Sequence, residues 1–309
     1  MAQAEERDFE EGILLHEIGQ IRAKLPGIGT EKLHFELEEQ GIYRRWGLKM
    51  GRDKLADLLA RHGMLVVKKR SRVRTTNSMH DYRKYPNLAK DLVLTRPNQL
   101  WVCDITYVAV GSGYSYLSLI TDAYSRKIVG WALWCSLSAK GCEAALEMAI
   151  ASSKKSLAGL LHHSDRGTQY CCNRYVKRLK SLRIGLSMTL NGDPYENALA
   201  ERMNRTIKEE MLQNRGFLKH DAAEQAIRNA IEAYNELRPH ASLDFKTPQF
   251  VHRTGASDLK KRWKKRPLKM TPPTTNPNPA GGGVTDRAES YTAVLTNIFF
   301  TKNCQPISG

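Results

Sequence analysis

An apolar run in the middle of the chain carries a single acidic residue. Residues 101–108 have the composition of a buried β-strand, and Asp104 stands at its centre. A carboxylate in such a strand costs several kcal/mol unless a partner or a metal ion compensates its charge. The run therefore predicts a strand inside a covered sheet and, at Asp104, a site that stabilises negative charge.

Two further acidic residues stand where other predicted elements could bring them near Asp104. Asp165 ends a second apolar run, at the point where a strand gives way to a loop, and Glu201 lies on a helix predicted after Pro194. Hard oxygen ligands from two strands and a helix suit Mg²⁺ or Mn²⁺. Two such ions about 4 Å apart would hold the attacking and leaving oxygens of a phosphodiester. Each acid taken alone is more often a helix cap, a turn residue or a surface charge than a metal ligand.

The apolar pattern after residue 100 alternates between strands and helices. Strands at 100–110 and 114–121 flank a Gly-Ser-Gly turn and predict a hairpin. The later predicted elements are a strand at 127–134, a helix at 139–152, a strand at 159–164, a helix at 173–182, a strand at 185–189, and helices at about 196–214 and 221–237. This order is typical of an α/β domain with a mixed sheet and helices on both faces.

Residues 1–63 have helical periodicity. A first helix ends at Pro26 and Gly27, a second begins with Thr30 as its N-cap and ends at Gly41, and a third ends before Gly63. The apolar residues that define these helices are Leu14, Ile18, Ile21, Leu25, Leu33, Leu37, Leu55, Leu58 and Leu59. The pattern predicts a small helical bundle, and composition alone allows it a purely structural role.

The net charge of +16 is concentrated in two arms. Residues 1–63 carry 10 basic and 12 acidic side chains, whereas residues 64–100 carry 9 basic and 2 acidic ones. A second basic run lies at 260–266. Two such runs on either side of a carboxylate-rich core favour nucleic acid as a partner. The arm residues expected to contact DNA are Lys68, Lys69, Arg70, Arg72, Arg74, Lys260, Lys261 and Arg262.

Several function classes are disfavoured by composition. No stretch approaches the roughly 20 apolar residues that a membrane span needs. The six cysteines lack the spacing of a disulfide framework, so a reduced, cytoplasmic setting is expected. A zinc site from His162 or His163 with Cys171 or Cys172 is an alternative, although its spacing is unusual.

Five short motifs resemble the bacterial insertion-sequence transposases of the ORF-B type, which carry a retroviral-integrase-like catalytic core. They occupy residues 101–107, 122–126, 163–170, 197–202 and 234–240, and the third reads His-Ser-Asp-Arg-Gly-Thr-Gln-Tyr. The resemblance extends from about Ile13 to His252. It implies an α/β, RNase H-like fold with a mixed five-stranded sheet and flanking helices, preceded by a small helix-turn-helix-like module. The implied division is a helical module at 1–63, a basic linker at 64–99, a catalytic core at 100–252 and a basic, then Pro/Gly-rich tail at 253–309.

The resemblance also implies an activity, namely DNA cleavage and strand transfer at the ends of the chain's own mobile element. Asp104, Asp165 and Glu201 would be the catalytic residues and would bind two Mg²⁺ or Mn²⁺ ions. Similar enzymes carry a basic residue near the position of Lys208. Residues seven apart share a face of an α-helix, so Lys208 and the nearby Arg205 are expected to contact DNA.

The expected partners are duplex DNA and further copies of the chain in a synaptic complex. Similar transposases are often made by frameshifting as fusions with an upstream DNA-binding frame, which is a further expected partner. Two rival functions stay open: a DNA-binding repressor without catalysis, and an RNase H-like nuclease that cuts but never joins strands.

Other polar residues near the triad have structural interpretations. Asp122 is expected to pair with Arg126, and Glu196 to stand at a helix start, where negative charge suits the helix dipole. His163 and Ser164 are expected to be structural. Asn197 and Asn204 are candidates for orienting the site or touching DNA.

Overall fold

The structure is a computed structural model that describes residues 2–66, 81–153, 156–190 and 197–257, with side chains from Asp8 onward. The cations expected to bind DNA in the two arms, together with Asp193 and Glu196, lie outside the described residues. The strands are β1 (Leu100–Val110), β2 (Gly113–Asp122), β3 (Ile128–Trp134), β4 (Leu161–Ser164) and β5 (Gly185–Met188). The helices are α1 (Ala2–Lys24), α2 (Thr30–Glu39), α3 (Ile42–Arg45), α4 (Arg52–Arg61), α5 (Ala139–Ser152), α6 (Thr168–Cys171), α7 (Asn173–Ser181), α8 (Ala198–Arg205), α9 (His220–Glu236) and α10 (Pro248–Thr254).

The five strands form one mixed sheet in the order β3-β2-β1-β4-β5. β1, β2 and β3 are antiparallel, and the hairpin turn follows Val110 as predicted. β4 and β5 run parallel to β1. The predicted fold class, an RNase H-like mixed sheet of five strands with flanking helices, is confirmed.

Each face of the sheet is covered by a different set of helices. On one face, Trp101 and Cys103 of β1 pack with apolar residues of α5 and α7. β3 and α5 approach so closely that a Cβ on Gly130 would collide with the backbone of Ala145. On the other face, Val108 packs with the helical segment after α8 and with α9. Alternation along β1 therefore directs Asp104 to the same side as α8.

The N-terminal region is all-helical, as predicted, but it contains four helices within the described residues, not three. α1 has 23 residues, and the short α3 was not predicted. Thr30 is the first residue of α2 rather than its N-cap; that position is held by Gly29, which gives no side-chain cap. All the predicted apolar positions are buried, and they form one hydrophobic cluster with Ile207, Met211 and residues of α9. The domain limits at residues 63, 99 and 252 stay a prediction.

The single helix predicted at 196–214 is divided. α8 ends at Arg205 and continues as a π-helical stretch, Thr206–Met211, in which the amide of Leu212 donates to the carbonyl of Ile207. Gln213 and Asn214 then adopt left-handed backbone conformations, with φ of 54° and 55°. π-Helical turns interrupt the 3.6-residue repeat and are frequent at functional sites.

Two further helices were not predicted, the short α6 and the later α10. Among the described residues, no helix is both long and apolar enough to cross a membrane.

Candidate active site

Asp104 lies in the middle of β1, with its carboxylate held on both sides. Oδ1 accepts a hydrogen bond from the amide of Ile105 at 2.9 Å, and Oδ2 accepts one from Nδ2 of Asn204 at 2.8 Å. Burial raises the pKa of Asp104 to about 7, and the charge of Asp165 adds to this rise. The site therefore holds a carboxylate whose charge is poorly compensated by the protein itself.

Asp165 follows β4 directly and comes beside Asp104 through the sheet register. Trp101 of β1 pairs with His162 of β4, and Val102 with His163. Continuing this parallel register by two residues places Asp165 next to Asp104. The loop after β4 begins here, and Oδ1 of Asp165 accepts a hydrogen bond from the amide of Gly167 at 3.0 Å.

Glu201 stands in the first turn of α8 and is exposed. Its charge contributes to the raised pKa of Asp104, although less than burial and Asp165 do. α8 packs against β1 and β2, which brings the start of this helix to the side of the sheet where Asp104 lies. The three acids are thus drawn from two strand positions and one helix.

The donor set fits a hard divalent cation. All three candidate ligands are carboxylates, which hard cations prefer. Asp104 is buried and its pKa is raised, as expected for a carboxylate whose negative charge a bound cation would balance. Within the described ranges, no three His, Cys, Asp or Glu side chains already surround a common point closely enough to hold an ion. The catalytic and metal-binding roles of Asp104, Asp165 and Glu201 stay a prediction.

Two asparagines fix the junction between α8 and β1. Asn197 donates from Nδ2 to the carbonyl of Cys103 at 3.1 Å, and Asn204 donates to Asp104. Both side-chain oxygens are buried, and in the described structure neither has a hydrogen-bond partner. Of the two roles expected for Asn204 from the sequence, orienting the site and touching DNA, its contact with Asp104 supports the first.

A buried polar group lies beneath Asp104, on the opposite face of β1. Nε2 of His162 lies 2.9 Å from Sγ of Cys103 and 2.8 Å from the hydroxyl of Tyr175. Burial lowers the pKa of His162 to about 3, so the ring is neutral. Sequence reasoning missed the role of Tyr175, because its contact with His162 exists only once α7 packs on the sheet.

The zinc alternative is not formed. His162 and His163 are consecutive in β4 and point to opposite faces. Nδ1 of His163 lies 2.8 Å from Oγ of Ser187, and Sγ of Cys171 lies against the sulfur of Met188. Sγ of Cys172 donates to the carbonyl of Gln169. The four side chains therefore each have another partner.

The expected ion pair between Asp122 and Arg126 is wrong. The carboxylate of Asp122 accepts hydrogen bonds from the amide of Asn98 and from the amide and hydroxyl of Ser125, at 2.6–2.7 Å. Nδ1 of His252 lies 3.7 Å away. Burial raises the pKa of Asp122, but the nearby His252 and the hydrogen bonds from Ser125 and Asn98 outweigh burial and lower it below its ordinary value. Asp122 is a structural anchor for the β2–β3 turn and α10.

Lys208 lies in the π-helical stretch, so α-helical spacing does not place it on the face of Glu201. Lys208 is partly buried, and this burial lowers its pKa. Arg205 ends α8 and is exposed. Contact of either residue with DNA stays a prediction.

Comparison with known proteins identifies the family. Models of the integrase core domain match residues 95–194 and 182–248. The IS600 uncharacterized 31 kDa protein of Shigella sonnei is 39% identical over 217 residues, 70% of this chain and 77% of that protein. A putative transposase for IS986/IS6110 of Mycobacterium tuberculosis is 32% identical over 218 residues, 67% of this chain and 74% of that protein.

A solved structure of the HTLV-2 integrase catalytic core domain in complex with magnesium aligns with a TM-score of 0.40 and 20% identity, over 51% of this chain and 97% of that chain. At that score the alignment adds nothing to the assignment, which rests on the sequence relatives and on the integrase core models. The chain therefore belongs to the insertion-sequence transposases that carry an integrase core domain, the proteins of DNA transposition.

Proposed function

We propose that this transposase cuts DNA strands at the ends of its element and joins the freed ends to target DNA, using Asp104, Asp165 and Glu201 to bind two divalent cations, Mg²⁺ or Mn²⁺. The observation that carries the proposal is the position of Asp104, a buried carboxylate beside a second one, with its pKa raised to about 7. Such a pair is unfavourable in the protein alone and becomes favourable when a cation is bound.

The chain's own residues act by orientation. The amide of Ile105 and Nδ2 of Asn204 each occupy one lone pair on a different oxygen of Asp104. Each oxygen therefore keeps a free lone pair for a cation. Glu201 is exposed and projects from a helix that Asn197 ties to β1.

The chemistry has two displacement steps at phosphorus. In the first, a water oxygen bonds to phosphorus while the bond to the 3′ oxygen breaks, and that oxygen leaves as a 3′-hydroxyl after taking a proton. In the second, this hydroxyl attacks a phosphodiester of the target, which releases a new 3′-hydroxyl there. Two bound divalent cations would supply the Lewis acidity for both steps. Catalysis consists of positioning and charge stabilisation, without a covalent protein–DNA intermediate.

DNA contact would involve Arg205 and Lys208 next to the site and the two basic arms outside the described residues. Further copies of the chain would assemble on the paired ends, and an upstream-frame partner or fusion would add sequence recognition. The compact N-terminal helices carry no excess of positive charge, which supports such a need.

A strand-transfer assay on labelled element ends tests the proposal. With Mg²⁺, the natural chain should yield both cleaved and joined products, whereas Asp165→Asn and Glu201→Gln should each yield neither while retaining DNA binding. Asp221→Asn, at an exposed position on α9, is the matched control and should behave as the natural chain does.

The rival functions give different results in the same assay. A repressor would bind ends without cutting them, and a plain nuclease would cut without joining. Near-normal joining by either the Asp165 or the Glu201 variant would remove that residue from the catalytic set.

A further inference from the structure

The stretch that follows Asp165 contains basic residues and no acidic ones. Residues 166–192 include neither Asp nor Glu. Their basic side chains are Arg166, Arg174, Lys177, Arg178, Lys180 and Arg183. α7 buries Tyr175, Val176 and Leu179 against the sheet, so most of these cations lie on the opposite, solvent-facing side of the helix.

Only part of this charge is neutralised within the protein. α5 supplies two carboxylates, Glu143 to Arg174 at 3.0 Å and Glu147 to Arg178 at 2.6 Å. Lys177, Lys180 and Arg183 are exposed, and in the described part of the chain none of them has a carboxylate within 4.0 Å. Unpaired cations remain along the outer side of α7 and just beyond its end.

A second basic segment lies beside α7. Residues 82–90 run along the edge strand β5, where the carbonyl of Pro86 accepts from the amide of Met188, and Oγ of Ser187 accepts from the amide of Leu88. The ring of Tyr85 contacts both Arg83, at 5.5 Å, and Lys180, at 5.7 Å. This shared ring brings the cations of the two segments together.

The basic surface begins next to the candidate active site. Lys84 is exposed and adjoins Arg83. α6 begins three residues after Asp165 and leads directly into α7. At the end of α6, Sγ of Cys171 lies 3.7 Å from the sulfur of Met188, whose amide donates to the carbonyl of Pro86, two residues after Lys84.

We propose that this surface, the α7 track (Arg83, Lys84, Lys177, Lys180 and Arg183), binds the phosphate backbone of duplex DNA leading away from the catalytic carboxylates. The proposal rests on the proposed function, because it assigns a path to the DNA on which that function acts. α7 has nine residues and spans about 13 Å, roughly the length of four base pairs. Contacts of lysine and arginine with phosphate oxygens carry no sequence information, so the track would contribute affinity without sequence preference.

Salt dependence of binding measures this contact directly. A full-length variant with Lys177→Gln, Lys180→Gln and Arg183→Gln loses up to three phosphate contacts. Each lost contact lowers the slope of log affinity against log salt by about 0.9. The slope should therefore be shallower by about 2.7. Between about 50 and 200 mM salt, the affinity of the natural chain should fall about 40-fold further than that of the variant.

The matched control removes the same charge from the other face of the molecule. Arg215→Gln, Lys219→Gln and Arg228→Gln change exposed residues on or near α9, and this variant should keep the natural slope. A further variant, Lys177→Arg with Lys180→Arg, keeps the charge and should also keep the slope. All six positions in the two neutralised variants are exposed, so thermal unfolding should confirm that each variant folds.

Two results would overturn the α7 track: a natural slope in the track variant, or an equal loss of slope in the control. Either result leaves the proposed function standing, because strand transfer would be unaffected. A natural chain with no salt-dependent DNA binding at all would overturn the proposed function together with the track.

Discussion

Replacement of Asp104 by asparagine should stabilise the metal-free protein while abolishing catalysis. In the unfolded chain this carboxyl has its ordinary pKa of 3.8, and in the folded protein burial and the charge of Asp165 raise it to about 7. The folded state therefore holds a proton that the unfolded state has lost between these two pH values. Wild-type stability falls as pH rises through that window, and the cost is fully present above about pH 7.

The size of this effect follows from the two pKa values. At 1.36 kcal/mol per pKa unit, the gap corresponds to about 4 kcal/mol as an upper limit. Asparagine removes this cost, but one of its two polar groups is an NH₂ that cannot accept the hydrogen bond from Asn204, at a loss of about 1–2 kcal/mol at any pH. The Asn204 amide can turn to present its oxygen, which is buried without a partner in the described structure. The net gain at about pH 8 should be about 2 kcal/mol, or about 4–8 °C in melting temperature.

Urea unfolding in EDTA at several pH values is the appropriate assay. The stability of Asp104→Asn relative to the natural chain should rise between about pH 4 and pH 7 by up to about 4 kcal/mol, from a small deficit to a net gain. Added Mg²⁺ should stabilise the natural chain alone, because the variant lacks a ligand. A variant less stable than the natural chain at about pH 8, or a difference independent of pH, would refute the reasoning that Asp104 is an uncompensated charge.

Three further predictions concern the rest of the chain. Glu210→Gln should destabilise the fold by about 3–5 kcal/mol in urea unfolding, because Arg238 is only 5% exposed and donates two hydrogen bonds, of 2.6 and 2.7 Å, to the carboxylate of Glu210. Adding Arg238→Leu to this variant should recover part of the lost stability, and a fully additive loss in the double variant would contradict the prediction. Asn235→Ala should lower the free energy of unfolding by about 2 kcal/mol in the same measurement, since the Asn235 amide exchanges two 3.0 Å hydrogen bonds with the backbone of Ile128 at the edge of the sheet. An unchanged urea midpoint would show that β3 is held by other contacts. The isolated chain should bind its element's ends and random duplex with nearly equal affinity at physiological salt. A measured ratio of the two affinities above about 10³ would show that it recognises the ends unaided.

Much of the core could be predicted from the sequence because its signals are local. The bounds of β1 and α5 agree with those predicted, and the other strands and α7 differ by one or two residues at their ends. The hairpin turn depends on neighbouring glycines, and the buried residues of the N-terminal helices follow from spacing along one helix face. The candidate triad was predicted from local signals too: Asp104 and Asp165 from apolar runs, Glu201 from a predicted helix, and all three from the motifs around them.

Other features depend on contacts between segments that are distant in the sequence. The π-helical stretch after α8 has no local sequence signal, yet it removes the spacing argument for Lys208. Asp122 lies close in sequence to Arg126, but its carboxylate is held instead by Asn98, Ser125 and His252, of which two come from other segments. The α7 track joins residues 93 to 100 positions apart, which meet because the sheet order places β5 at an edge beside residues 82–90. Periodicity fixes which side of an element is apolar, whereas the partner of a polar group is set by the chain that happens to pack against it.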